Sequence, residues 1–456
     1  MKPKKRRLEY YSFYNHTGIE KHLTEMAQKG WMLEAISNLY WTYRKIEPKT
    51  IHFCVTYYPR GSDFDPEPSE DQQTFHDFCA YTGWQLACTW HQMQVFYNEK
   101  ESSIPLEKDP VMEVDTLHRA CKKNFLPSFY SMLALGILMG GYTLARIFYD
   151  PIGLLTSSSQ MLTGFAYICV LAISLVELVT YFSWYKKARR AAQDGLFVDT
   201  PSTAGFQKCI VVLLMIGMVW WLTNLLAADD PLLFWVAVAM LGYMFVVILA
   251  VNGIKQGLKK AKVSRGMNRF VTLAACFILP LIMTGLVTYG FISLNRTGAF
   301  ELKPQDDMSI PLSLSDFMEI NEMDYTEYDR TNETTLLQQR VVNHHASLHA
   351  MEAGNAESLR YIITTVKVPF LYKWCAEQIF WDEDESNNGI PEGHRSIYKE
   401  TDASYWGADA AYRLYHEEGW WRNTYLLYYD DRIIEIHFSW EPTEDDMAIV
   451  NQKLNP

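Results

Sequence analysis

The sequence has 456 residues, of which 49% are hydrophobic and 21% charged, and a formal net charge of −12. At about 150 residues per domain that length predicts two to four domains, and the net acidity argues against nucleic acid as a partner. The mean hydropathy of −0.12 averages two populations: nearly all long apolar runs fall within 125–294, which excludes a fully soluble enzyme, and both flanks read as ordinary polar protein.

Residues 1–120 predict an α+β domain with an internal near-repeat. The segments 21–45 and 74–98 each begin as a helix, reach a Gly-Trp step (Gly30, Trp31, then Leu33; Gly83, Trp84, then Leu86) and continue into aromatic-rich strands. Ile19, Leu23, Met26 and Ala27 recur at helical spacing, and Gly30 sits where a helix takes a left-handed cap. Ile51, Phe53, Val55 and Tyr57 then alternate with polar neighbours, a strand period. Each Gly-Trp step reads as a turn followed by a core anchor, with ligand stacking on Trp31 or Trp84 as the alternative. The basic start, 1–7, is followed by no apolar core, so no cleaved signal is expected.

These residues also carry a resemblance. Gly18, Ile19, Glu20, Leu23, Met26, Ala27, Lys29, Gly30, Trp31 and Leu33, then 43–48, then Phe78, Gly83, Trp84, Leu86 and Phe96, resemble the DUF2812 family over about the first 100 residues. The resemblance implies a short domain of unknown function preceding membrane spans in a bacterial protein, and it supplies no catalytic residues.

Five stretches within 121–294 are long and apolar enough to span a bilayer, which takes about 20 residues: 125–148, 161–185, 209–227, 231–251 and 270–294. Lys122 and Lys123 precede the first. Lys186, Lys187, Arg189, Arg190 and Lys208 lie between the second and third, and Lys255, Lys259, Lys260, Lys262, Arg265 and Arg269 surround the loop between the fourth and fifth. The other two loops contain no Lys or Arg. Positive residues stay cytoplasmic, so the pattern predicts a multi-pass protein of a bacterial plasma membrane with its amino terminus cytoplasmic and its carboxyl terminus outside.

Residues 295–456 predict an extracytoplasmic acidic α+β domain with 13 basic against 30 acidic side chains, a net of −17. Here 334–351 reads as a helix with Leu337, Val341, His344 and Leu348 on one face. Leu359, Tyr361 and Ile363 alternate as a strand, 423–430 and 432–440 read as a hairpin, and Thr443 caps a last helix with Asp446 three residues on. Cys375 is the one cysteine of this domain, so no internal disulfide is expected there.

The fold class is thus an α-helical membrane bundle of five transmembrane helices flanked by two α+β soluble domains. Few groups suggest chemistry. His345 and His349, four apart on the expected helix, with Glu352 one turn on, could hold zinc, although no His-Glu-x-x-His signature surrounds them. Glu177 within the second span and Asn224 within the third are candidates for an ion path, or for a structural hydrogen bond between spans. Gly136 and Gly140 form a Gly-x-x-x-Gly step suited to a homodimer contact, and Arg146 can pair with Asp150. No cofactor-binding or catalytic motif is present. The leading expectation is a non-enzymatic envelope sensor or regulatory adaptor that contacts the lipid bilayer and a protein partner on the cytoplasmic side. The alternatives are a transporter or its membrane subunit, and an exported metal-dependent hydrolase.

Overall fold

The computed structural model describes residues 3–37, 40–100, 106, 109–227, 231–296, 311–318, 325–347 and 357–454. The chain divides into two compact units, one comprising Met1–Gly140, Ala166–Gly217 and Leu232–Phe300, the other Gly141–Phe165, Met218–Pro231 and Glu301–Pro456.

The repeat in the first unit is a structural one, and each copy is larger than the sequence suggested. β1 (Lys4–Arg7), α1 (His16–Gln28), β2 (Trp31–Ile36) and β3 (Trp41–Lys45) form the first copy; β4 (His52–Tyr57), α2 (Glu70–Tyr81), β5 (Gln85–Trp90) and β6 (Met93–Asn98) form the second. Each copy is therefore strand, helix, hairpin. The two three-stranded antiparallel sheets have equivalent orders, β1-β3-β2 and β4-β6-β5. Even the irregularities correspond, since β2 shifts register between Leu33 and Ala35 and β5 between Leu86 and Cys88, where an extra residue bends the strand. Gly30 and Gly83 follow their helices with φ of +81° and +91°, a conformation open mainly to glycine. The main core gathers Ile19, Leu23, Met26, Met32 and Tyr43 of the first copy with Phe53 and Val55 of β4 in the second, whereas Cys79, Trp84 and Phe96 form a smaller cluster under α2.

After α3 (Pro110–Lys123) come five helices long and apolar enough to cross a membrane. The first is a composite, α4 (Phe125–Leu135), a π-helical turn at Gly136–Gly140 and α5 (Gly141–Tyr149). After a short α6 (Pro151–Thr156), the others are α7 (Ser158–Gln193), α8 (Ala204–Ala227), α9 (Pro231–Lys260) and α10 (Arg265–Arg296). The sequence placed all five, but the helices outrun the apolar stretches: α7 has 36 residues, roughly 54 Å at 1.5 Å per residue against a hydrocarbon core of about 30 Å. The excess carries Lys186 to Arg190 on its last turns. Pro280 lies inside α10 without ending it.

The second unit holds a seven-stranded antiparallel sheet of order β10-β11-β12-β13-β9-β8-β7. Its strands are β7 (Tyr325–Thr334), β8 (Gln338–Ser347), β9 (Ser358–Val366), β10 (Ser396–Thr401), β11 (Ala410–His416), β12 (Trp420–Tyr428) and β13 (Arg432–Phe438). The side chains alternate in strand fashion, so one cluster joins Val366, Leu426 and Ile433 to Leu371 and Cys375 of α11 (Pro369–Ser386). A second joins Tyr361, Ile434 and Ile436 to Leu312, Leu314 and the closing helix α12 (Glu444–Leu454). The expected strand at 359–363, the hairpin and the last helix are all present. Thr443 and Asp446 cap that helix reciprocally, with Thr443 N donating to the Asp446 carboxylate at 2.9 Å and Asp446 N to Thr443 Oγ1 at 3.2 Å.

The helix expected over 334–351 is not there. Residues 338–347 form β8, paired with both β7 and β9. Val341 and His344 lie three apart, a helical spacing that places them on opposite faces of a strand, and the ladder hydrogen bonds to two flanking strands override it.

Candidate functional site

A carboxylate on an apolar helix has to be satisfied by hydrogen bonds or it destabilises the fold. Glu177, on α7, is only 1% exposed, and its oxygens are taken up by groups far away in sequence. Ser12 Oγ donates to Oε2 at 2.8 Å, Gln207 Nε2 donates to Oε1 at 2.8 Å, and the Thr203 hydroxyl also donates to Oε1. Ser12 and Thr203 lie 2.9 Å apart, and the Gln207 amide reaches both hydroxyls, at 3.3 Å and 3.1 Å. Ser12 belongs to the segment leading into α1, Thr203 precedes α8, and Gln207 lies in its first turn. One carboxylate therefore holds together the second long helix, the entry to the third and the segment before the first helix of the repeat.

The same seam continues into the cap of α1. Asn15 accepts from Gly18 N at 3.0 Å, closing the helix N-terminus, and also from Thr200 Oγ1 at 2.9 Å; Thr200 N donates to Thr17 Oγ1 at 2.9 Å. Beside it Tyr14 is fully buried, edge-on to Phe125 and Tyr181 at 5.3 Å each. Burial, helped by the Glu177 charge, pushes the Tyr14 hydroxyl well above its ordinary pKa. His16 Nε2 lies 3.0 Å from the Glu113 carboxylate of α3; burial alone would lower this imidazole, but Glu113 outweighs it and the net shift is upward.

A second seam joins the loop 58–68 to the basic turn between α9 and α10. Lys255 Nζ lies 3.1 Å and His91 Nδ1 3.4 Å from Asp63, Lys262 pairs with Glu67 at 2.5 Å, and Arg265 approaches Asp65 at 3.7 Å. Arg265 also donates to the Arg60 carbonyl at 3.2 Å. The Lys262–Glu67 pair is exposed and contributes little. Asp63 and Lys255 are the better-shielded pair, at 23% and 13% exposure. Burial would raise the Asp63 carboxyl, yet His91, Lys255 and Lys259 together hold it below its ordinary value. Burial lowers the His91 imidazole, with Lys255 adding to the effect against the pull of Asp63. The cations that the sequence assigned to membrane orientation thus also bind an acidic loop, and the run of Asp63, Asp65 and Glu67 was the available signal.

Asn224 donates to the Trp220 carbonyl of its own helix at 2.8 Å. Gly136 and Gly140 pack against α7 of the same chain. A Cβ at Gly136 would meet Leu171 backbone at 2.8 Å, and one at Gly140 would reach the Tyr167 carbonyl at 3.5 Å. The small-residue face is occupied within the chain. Trp84 is buried as the core anchor expected of it; Trp31 is half-buried, with Lys5 Nζ 5.2 Å from its ring centre. The Arg146–Asp150 pair forms as its spacing predicts.

His345 lies on β8, fully buried, its ring parallel to that of Tyr361 at 6.5 Å. His349 and Glu352, its expected partners, lie outside the described residues. Among the described residues no group of three or more His, Cys, Asp or Glu side chains is arranged to hold a metal ion. The second unit does contain a cavity of about 390 Å³ lined by Arg340, Asp382, Glu383, Tyr398 and Glu435. Burial raises the Glu435 carboxyl against the opposing pull of Arg340 and Arg360.

Residues 15–129 match the family model DUF2812, described as a protein of unknown function. The match takes in α1, both hairpins, α3 and the start of the first long helix, so it covers the docked domain and its junction. No curated protein and no solved structure matches the chain.

Proposed function

We propose, from the premise that the N-terminal domain is a DUF2812 domain, that the protein is a multi-pass adaptor of a bacterial plasma membrane. Its amino-terminal domain faces the cytoplasm and its acidic carboxyl-terminal domain faces outward. It transmits the state of the helices to a protein that binds the DUF2812 domain and carries out no reaction of its own. The observation that supports this is the double attachment of the repeat. The Glu177 seam ties the entry of α1 to α7 and α8, and the Asp63 seam ties the 58–68 loop to the turn between α9 and α10. A rigid shift of any of these helices against another is felt in the domain.

A transporter has less support. Both oxygens of Glu177 accept from protein donors, and Asn224 uses its amide on its own helix.

The test is crosslinking with mass spectrometry of the intact protein in its native membrane, comparing wild type with Glu177→Ala. A protein partner crosslinked to the DUF2812 domain in wild type and diminished in the variant supports the reading. Movement of a solute by the purified protein in liposomes, with no crosslinked partner, refutes it.

A further inference from the structure

Where α3, α4 and the last turns of α7 meet, they enclose an open groove of about 900 Å³ within the first unit. Two cations line it, Lys122 and Arg189, both exposed, and neither has a carboxylate partner among the described residues. Between them lies His118, stacked on Tyr185 at 4.0 Å and hydrogen-bonded through Nδ1 to Tyr181 at 2.7 Å. Burial lowers this imidazole, with Lys122 and, more weakly, Arg189 adding to the effect against the pull of Asp115. The acid on the rim, Asp115, is paired with Arg119. Towards the long helices the lining is apolar, with Tyr130 and Phe182 49% and 39% exposed, and Val111 and Met112 line it beyond the cations.

The spacing is informative. On α7, Phe182 to Arg189 covers roughly 10–12 Å at 1.5 Å per residue. The polar headgroup layer of one leaflet is about 5–8 Å deep, so a lipid phosphate at Arg189 places its acyl chains by Phe182. Towards the long helices the lining passes from basic to apolar, and this part runs on into helices long enough to cross a membrane.

We infer that this groove binds an anionic glycerophospholipid, its phosphodiester held by Lys122 and Arg189 and its acyl chains laid along Tyr130 and Phe182. The inference rests on the membrane placement of the helices. A zwitterionic lipid brings its own cation to the same site and gains less there. The groove would thereby make the α3–α4 junction sensitive to the charge of the surrounding leaflet.

The full chain, purified in mild detergent, is titrated with phosphatidylglycerol and with phosphatidylcholine of identical acyl chains and read by native mass spectrometry. Wild type should prefer phosphatidylglycerol by about tenfold or more, as expected for two cations near a lipid surface. Lys122→Gln/Arg189→Gln should lose that preference. The matched Lys123→Gln/Arg190→Gln variant, which removes the same charge from the same helices outside the groove, should keep it, as should the charge-conserving Lys122→Arg/Arg189→Lys.

Equal losses in the two Gln variants would reduce the effect to general surface charge and overturn the site. Displacement of the lipid by millimolar inorganic phosphate or by an acidic peptide would overturn the lipid as occupant. A chain recovered in the aqueous fraction without detergent would refute the membrane placement itself, whereas a membrane-bound chain without lipid preference refutes the groove alone.

Discussion

Replacing Glu177 tests the attachment of the repeat most directly. Alanine removes the acceptor of three donors, Ser12, Thr203 and Gln207. A hydrogen bond to a charged acceptor contributes about 1.5–3 kcal/mol, so three would give about 4.5–9 kcal/mol if nothing compensated. Without Glu177 the two hydroxyls, freed as donors, can bond each other and accept from the Gln207 amide, which brings the expected loss to about 4 kcal/mol, roughly a thousandfold in a local opening equilibrium. Glu177→Gln keeps the shape and one acceptor oxygen. Because charge-assisted bonds are about twice as strong as neutral ones, its loss should be about 1–2 kcal/mol.

Hydrogen exchange of the full chain in nanodiscs provides the assay. The reporting amides are Asn15, which donates to the Ser12 carbonyl at 2.9 Å, and Thr200, which donates to Thr17 Oγ1 at 2.9 Å. Both should exchange faster in Glu177→Ala, with a small change in Glu177→Gln and none in β12 of the other unit. Unchanged exchange at both amides in Glu177→Ala, or equal effects of Ala and Gln, would refute the argument that the neutral hydrogen-bonding shape of this side chain carries most of the attachment.

Acidification should loosen the second seam. Asp63 and His91 both have pKa values lowered from their ordinary 3.8 and 6.5, so the stability they contribute is complete above those ordinary values and is lost as pH falls through the lowered ones. Proteolysis within 58–68 of the membrane-embedded protein should therefore rise as pH falls below about 6.5, where His91 begins to protonate, and again below about 3.8, where Asp63 does, and His91→Gln should remove the first of these rises. Gly30→Ala and Gly83→Ala both force a side chain into positive φ at about 1–2 kcal/mol. The added methyl meets the Ile46 carbonyl at 3.0 Å in the first case but only the movable Asn98 amide at 3.3 Å in the second, so thermal unfolding should show Gly30→Ala as the more damaging. In the first long helix, Gly136→Ala should destabilise by about 1–3 kcal/mol, because Leu171 backbone cannot yield. Gly140→Ala, at 3.5 Å from its neighbour, should be close to neutral in the same measurement.

Where a feature depends on residues close together in the chain, the sequence was sufficient. Five long apolar helices follow from run length, since each satisfies its own backbone. The Gly-Trp repeat was visible because a helix stop, a turn and a buried aromatic are local requirements repeated at Gly30–Trp31 and Gly83–Trp84. Thr443 and Asp446 announced their helix for the same reason. The first strand of the first repeat copy escaped notice because Lys4–Arg7 is four exposed cations with no apolar alternation to read, and only its pairing with β3 makes it a strand. At 338–347 the apolar spacing reads as a helix, and the strand was decided by pairing with β7 and β9, which no local pattern encodes. Glu177 shows the same division most clearly. Its position in an apolar run signalled that it needed partners, but Ser12 lies 165 positions away, and the chain brings the two together only once the repeat has folded against α7. Which residues must be buried, capped or spanning was set by local chemistry; which of them meet was set by tertiary packing, because a hydrogen bond depends on distance in space and carries no record of separation along the chain.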